Sequence, residues 1–189
     1  KQYLKERGFI RGANCTSVDA VMIGKLKNGE KRIYFIEWKY TEYYDNQNKA
    51  TEGIESKTEN YKGKVRQTRY NELILNSSQL QPTRLDCYYY EPFYQLMRQT
   101  LWAEQMLRYK AVERLKADDY VHVHVIPTEN EALLRKAYKC SGEGMETTWR
   151  SQLKDQSKYV IIPPQKLLGG LSSFPKYKNL LQYLNNRYW

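Results

Sequence analysis

The sequence predicts an α/β fold, on three observations. Two β-branched and aromatic runs, "SVDAVMI" (17–23) and "RIYFIEWKY" (32–40), flank "KLKNGEK", and its Asn28-Gly29 pair is a hairpin signal. After Pro92, the residues Phe93, Leu96, Met97, Thr100, Leu101, Glu104, Leu107 and Ala111 recur at three- and four-residue steps, the signature of one packed helical stripe. Further on, "YVHVHVIP" alternates strictly and closes on Pro127, as a strand does.

Taken in order, "KQYLKER" (1–7) reads as the last turns of a helix stopped by Gly8, with a short extended piece at 9–11. The hairpin follows. From Thr41 to Lys64 the chain is polar and nearly free of aliphatic residues, which predicts a long mobile excursion with at most a helical turn. A helix is expected from about Val65 to Asn76, broken by "NSSQLQPTRLD". The longest helix is expected from Pro92 to about Leu115, and a strand over 120–126. The remainder predicts a helix near Glu129 to Tyr138, a glycine loop at 141–144, another short helix, the apolar run "YVIIPP", and an amphipathic helix from about Lys176 to Asn185.

At 189 residues, with 41% apolar and 28% charged residues, the chain has the length of one ordinary domain with a real core. No run approaches the ~18 apolar residues of a membrane span. Lys1 opens the chain without Met or a charged-then-apolar leader, so the expectation is a cytoplasmic protein without signal peptide, and a piece of a longer one. Cys15, Cys87 and Cys140 are far apart, odd in number and lack C-x-x-C spacing, which argues against a disulfide framework and a zinc knuckle. His122 and His124 are the only histidines, so any metal has to sit on oxygen, which suits Mg²⁺, with Mn²⁺ the other option. The net charge of +10 fits a polyanionic partner. Tyrosines beside cations, as in Tyr61-Lys62, Arg69-Tyr70 and Tyr177-Lys178, could stack on bases, although half-buried core tyrosines are the commoner case.

The hairpin carries the chemistry. Strand periodicity places Ile33, Phe35, Glu37 and Lys39 on one face, and Asp19, Val21 and Ile23 on one face of the preceding strand. Two registers are open. A two-residue Asn28-Gly29 turn pairs residues whose numbers sum to 57 and sends Asp19 and Glu37 to opposite faces. A three-residue loop, Lys27-Asn28-Gly29, with Gly29 left-handed, pairs residues summing to 56, and then Asp19 meets Glu37. Like charges at that spacing repel, which a cation between them would relieve. The bland alternative is a salt-bridged strand end. A second E-x-K, Glu55-Ser56-Lys57, lies in the polar excursion without a supporting apolar row and is set aside.

These residues resemble the signature of the PD-(D/E)XK nuclease superfamily, the restriction-endonuclease-like fold: an acid on one strand, here Asp19 in "TSVDA", then (D/E)-x-K after a hairpin, here Glu37-Trp38-Lys39. The wider run "GANCTSVDAVMI…RIYFIEWKYTE" is similar to uncharacterised bacterial restriction-endonuclease-like proteins, and "EPFYQLMRQTLWAEQM" resembles the helix after the motif in that group. The resemblance implies an αβββαβ core with a mixed sheet flanked by helices and additional C-terminal helices. Residues 1–126 would carry the core motifs and 127–189 an extension packed on it, in one nuclease-like domain. It further implies a Mg²⁺-dependent endodeoxyribonuclease: Asp19 and Glu37 hold the metal with the Trp38 carbonyl, Lys39 orients the nucleophile, and Gln99 on the following helix joins the catalytic group. Trp38's side chain belongs to the other face, in the core. Val18 stands where the superfamily's name has proline. Glu6 is the sole acid upstream of Asp19, where many members carry another glutamate.

Weaker candidates remain. Gln95 reads as a solvated glutamine. His122 and His124 share a strand face and read as a solvent-side or hydrogen-bonded pair rather than a metal site. Lys62, Lys64, Arg66 and Arg69 follow the excursion and either grip a nucleic-acid backbone or form the solvated face of a helix. No glycine-rich phosphate loop, Ser-His-Asp set or haem motif is present, and "LGG" (168–170) is a turn. The expected partner is DNA, without a membrane and with a homodimer left open. Two competing readings stand beside the nuclease: a catalytically inactive nucleic-acid-binding module of the same fold, and a protein-interaction domain whose basic charge is incidental.

Overall fold

Strand β1 (Ala20–Lys25) turns into β2 (Lys31–Trp38) through a tight loop, and the loop fixes the register of everything that follows. The computed structural model describes Leu4, Glu6 and residues 15–188. The Leu26 amide donates to the Glu30 carbonyl at 2.8 Å and the Gly29 amide to the Leu26 carbonyl at 2.9 Å, so Lys27, Asn28 and Gly29 form a three-residue loop. Gly29 has φ +91°, a left-handed conformation that costs a glycine little. The pairs Ala20–Ile36, Val21–Phe35 and Ile23–Ile33 follow, so of the two open registers the structure has the one whose residue numbers sum to 56.

The sheet has four strands in the order β1-β2-β3-β4, with β3 (Asp119–Val125) parallel to β2 and β4 (Tyr159–Ile162) parallel to β3. This is the expected mixed sheet of an α/β fold. A parallel neighbour requires a crossover, and the crossover from β2 to β3 carries α1 (Lys62–Leu75) and α2 (Phe93–Arg108). One face of the sheet presents Ile33, Phe35 and Tyr120 to Ala103 and Met106 of α2. The opposite face gathers Ile36, Val121, Val123 and Val125, with Trp38, Ile162 and Leu167 packed against them. The largest core lies where α2 meets α1 and the C-terminal part: Leu96, Met97 and Leu101 with Tyr70, Ile74, Trp149 and Tyr159. Many tyrosines are therefore core residues, Tyr70, Tyr88 and Tyr159 among them.

After β3 come α3 (Glu131–Leu134), α4 (Met145–Ser151), α5 (Pro164–Leu168) and α6 (Lys178–Tyr188). No helix of the described residues is long and apolar enough to cross a membrane. The expected first helix and the extended piece at 9–11 lie, apart from Leu4 and Glu6, outside the described residues.

Several expectations need correction. Helix α2 ends at Arg108 instead of near Leu115, because the chain turns at Tyr109, whose carbonyl accepts from the Val112 amide at 2.9 Å, and Lys110 pairs with Asp118 just ahead of β3. Helix α3 is one turn long because Tyr138 instead donates its amide to the Glu143 carbonyl at 2.9 Å. The polar excursion is tied down: the Asn130 amide group donates to the carbonyls of Tyr40 at 3.3 Å and Glu42 at 3.2 Å, and Lys49 bonds Tyr89 across the backbone at 2.7 Å. Gly63 closes it, since a β-carbon there would lie 1.9 Å from the Ala50 carbonyl oxygen. Val21 and Ile23 are 38% and 44% exposed, because β1 is an edge strand and α2 covers β2 and β3.

Cysteine spacing gave no hint of a disulfide, yet Cys87 and Cys140 are bonded, with Cα atoms 5.3 Å apart. Their 53-residue separation hides a meeting made only by tertiary structure. Neither histidine faces solvent. His124 Nδ1 lies 2.9 Å from the Tyr159 hydroxyl, and His122 packs on Phe35 with ring centroids 5.4 Å apart.

Burial pushes the His122 imidazole down to about 3, so it folds neutral. The unfolded chain binds a proton there below about pH 6.5 and the folded chain does not, so stability falls as the pH drops. Urea melts between pH 4 and 7 should show this group costing up to about 1.4 kcal/mol per pH unit. His122→Leu should lose that part of the slope, and an unchanged slope would contradict a neutral buried imidazole.

Candidate active site

The register carried one step beyond Ala20–Ile36 sets Asp19 across from Glu37. In this ladder the Leu26–Glu30 pair is hydrogen-bonded, so by alternation Ile36 and Trp38 also turn their backbone groups toward β1. β1 begins at Ala20 and has no ladder partner for Trp38. Asp19 supplies one: its Oδ2 accepts the Trp38 amide at 2.9 Å. The Trp38 carbonyl leaves the strand on that same side, and the Trp38 ring packs on the far face, as its position in the strand predicts.

Glu37 and Lys39 continue the Ile33–Phe35 row under α2, and they are only 3% and 5% exposed. Lys39 Nζ donates to Glu37 Oε2 at 3.2 Å and to Gln95 Oε1 at 2.9 Å. Gln99 Nε2 donates to Glu37 Oε1 at 2.6 Å and to the Ser17 carbonyl at 3.0 Å. Gln95 and Gln99 are four residues apart on α2, hence on one face, and together they fix the lysine and the carboxylate. The solvated role expected for Gln95 is corrected: it is half-buried and holds Lys39 because α2 lies directly over the row.

Burial holds the Glu37 carboxyl above its usual range and the Asp19 charge adds to this, against Lys39 and the Gln99 hydrogen bond. For Lys39, burial opposes the charge, but Tyr44 and Glu37 outweigh it and leave the lysine above its usual value, an ammonium. The row is thus a carboxylate under electrostatic pressure beside a fixed cation, with a second carboxylate at the open end of the sheet. His124, the β3 partner of Glu37, is neutral because burial, then Lys39, pushes it well below the usual histidine value.

No group of three or more His, Cys, Asp or Glu side chains among the described residues is arranged to hold a metal. Asp19, Glu37 and the Trp38 carbonyl offer only oxygen donors, the kind hard divalent cations take, at neighbouring positions of β2 and the start of β1. A cation there would offset both the burial of the Glu37 charge, the main reason its carboxyl is raised, and the smaller repulsion from Asp19. Glu6 is not part of this set. Its carboxylate accepts from the Thr16 amide at 2.6 Å, from the Tyr70 hydroxyl at 3.0 Å and from Arg98 at 3.2 Å.

Lys62, Arg66 and Arg69, on α1, line a cavity of about 620 Å³ whose far wall is Ser17, Tyr94 and Arg98. Lys64 is exposed and lies outside it. Ser17 and Arg98 also border a second cavity of about 440 Å³, which contains Gln95, Tyr44 and Glu91. Sequence reading missed Gln95, the Ser17 carbonyl and Tyr44. Only the i, i+4 spacing of Gln95 and Gln99 carried a usable signal. Glu55-Ser56-Lys57 lies on an exposed 3₁₀ turn and its C-cap, outside any strand.

In comparison with known proteins, a family model described as "Restriction Endonuclease associating with ARP" matches residues 2–189. No curated protein and no solved structure matches the chain.

The Glu6 cluster ties residues ahead of the hairpin to α1 and α2, and it can be tested alone. Burial pushes the Glu6 carboxyl up, but the Thr16 hydrogen bonds, Arg98 and Tyr70 outweigh it and hold it below its usual 4.5. A lowered folded value stabilises the fold above 4.5 and ceases to do so as the pH falls through the folded value. Glu6→Gln, which leaves Arg98 without its carboxylate, should cost about 3 kcal/mol at pH 7 in denaturant titrations. The difference from the parent should shrink below pH 4.5, and a pH-independent gap would refute the charged pair.

Proposed function

This chain belongs to the family described as "Restriction Endonuclease associating with ARP", and from that premise we propose that it is a metal-dependent nuclease of the PD-(D/E)XK type that hydrolyses phosphodiester bonds of DNA. Membership supports a restriction-endonuclease-like, nuclease-like protein. The observation that supports the finer reading is the single row at the sheet's end: Asp19 opposite Glu37 by register, with Lys39 buried beside them and bonded to Glu37.

In this reading Asp19, Glu37 and the Trp38 carbonyl hold Mg²⁺ or Mn²⁺. A bound cation supplies Lewis acidity, lowering the pKa of a water and drawing charge off the phosphate. The protein's own groups do the rest. Gln99 clamps Glu37 through Oε1, so the carboxylate keeps one orientation while Oε2 faces Lys39. Gln95 steadies the Lys39 ammonium, which aligns the attacking water and offsets negative charge growing on the phosphate oxygens. Burial of the row under α2 keeps competing water away and strengthens each of these interactions. Lys62, Lys64, Arg66 and Arg69 supply cations along the path of the DNA backbone, as salt-dependent phosphate contacts.

One observation favours a second reading, an inactive nucleic-acid-binding module: both Glu37 oxygens are already engaged, by Lys39 and Gln99. Supercoiled plasmid incubated with the protein and Mg²⁺ or Mn²⁺ separates the two. The nuclease reading expects nicked or linear product, none in EDTA, and a loss of about a thousandfold in Lys39→Ala, with a thermal melt confirming that the variant folds. Plasmid bound but left intact by the parent protein would establish the second reading, and cleavage indifferent to EDTA and to Lys39→Ala would sink the mechanism.

A further inference from the structure

Outside the carboxylate row, positive charge gathers at the cavity of about 620 Å³ beside α1. Four cations line it, Lys62, Arg66, Arg69 and Arg98, and no acidic side chain does so among the described residues. Two carboxylates stand behind them: Glu52 pairs with Arg66 at 2.7 Å and Lys62 at 3.4 Å, and Glu6 pairs with Arg98 at 3.2 Å. Glu52 is shared with Lys49 as well, at 4.0 Å, so the cations outnumber the carboxylates behind them by at least two. Arg69 has no ion pair among the described residues.

Arg66 and Arg98 are held by carboxylates and by an aromatic ring, whereas Arg69 is held by a ring without an ion pair among the described residues. Arg66 and Arg98 lie 5.6 and 5.4 Å from the centroid of the same Tyr94 ring, and Arg69 lies 5.8 Å from that of Tyr70. The rings thus fix the direction of the guanidiniums, and the cation without a carboxylate partner, Arg69, is the one left to take an anion from solution. Tyr70 and Tyr94 are 0% and 7% exposed, so they serve as struts and offer no open face for a base. Recognition here falls on an anion, and guanidinium forks match phosphate oxygens.

The size of the excess selects among phosphates. A bridging phosphodiester carries one negative charge, whereas a terminal phosphate monoester carries about −1.5 to −2 near pH 7. The cavity shares Ser17 and Arg98 with the neighbouring one that contains Gln95, and the Ser17 carbonyl is bonded to the same Gln99 that clamps Glu37. Ser17 is thus common to the wall of this cavity and, through Gln99, to the support of Glu37.

We propose that this cavity receives the phosphorylated end of a nucleic-acid strand, a phosphate monoester, and seats the strand so that hydrolysis falls close to that end. Its link to hydrolysis rests on the nuclease reading, but its preference for a monoester does not.

Fluorescence anisotropy in EDTA, with short single-stranded DNA oligonucleotides bearing a 5′-phosphate, a 3′-phosphate or only hydroxyl ends, tests the cavity without any cleavage. One phosphorylated form should bind about tenfold more tightly than the hydroxyl-ended one, the yield of one added charge-assisted contact. Either polarity supports the cavity and tells which strand end it takes. In Arg69→Gln the phosphorylated oligonucleotide should fall to the affinity of the hydroxyl-ended one. Lys62→Gln, whose side chain is 74% exposed, should narrow the preference if Arg69→Gln does not fold. Equal affinity of the parent protein for all three oligonucleotides would overturn the proposal. End preference with both supercoiled plasmid and end-phosphorylated linear DNA left intact in Mg²⁺ or Mn²⁺ would keep the cavity and remove the nuclease, and cleavage without end preference would do the reverse.

Discussion

Gly29 decides which side of the sheet Asp19 faces. Strand side chains alternate, so one residue more or less in the hairpin loop would send the Asp19 carboxylate to the Trp38 face. With φ +91°, Gly29 completes a three-residue loop, and the Val21–Phe35 and Ala20–Ile36 pairs carry that choice to the strand end. There the Asp19 side chain replaces a missing ladder partner by accepting the Trp38 amide. Local turn chemistry, edge-strand geometry and the placing of two like charges are therefore one constraint.

The second element is the cover that α2 provides. Phe35 and Ile33 bind the sheet to Ala103 and Met106, and the same row ends in Glu37 and Lys39, nearly as buried as the residues before them. An isolated buried carboxylate would take up a proton. Lys39 and Gln99 oppose that, while Asp19 works the other way. Burial in this place sacrifices some stability for rigidity, which is the usual bargain where polar groups must hold a fixed geometry.

Much of this was legible in the sequence, for reasons that can be named. The hairpin, α1, α2 and β3 announce themselves through period-two and period-3.6 patterns and the Asn28-Gly29 turn. The register was narrowed to two choices, and only the loop's hydrogen bonds could choose between them. Gln99 stands out in the sequence by its place near the α2 stripe, whereas Gln95 does not, because periodicity does not say how far a helix overhangs a strand. The Cys87–Cys140 bond, the burial of both histidines and the tying down of the polar excursion by Asn130 depend on contacts between distant segments. β4 was hidden for another reason: "YVIIPP" is too short for any period to show.

The central claim is that Asp19 and Glu37 act together on one divalent cation, and anomalous diffraction from crystals grown with Mn²⁺ tests it most directly. The account predicts a peak within coordination distance of both carboxylates and the Trp38 carbonyl, and its disappearance in Asp19→Asn. A Mn²⁺ peak elsewhere on the protein, with the Asp19–Glu37 row empty at saturating Mn²⁺, would contradict it.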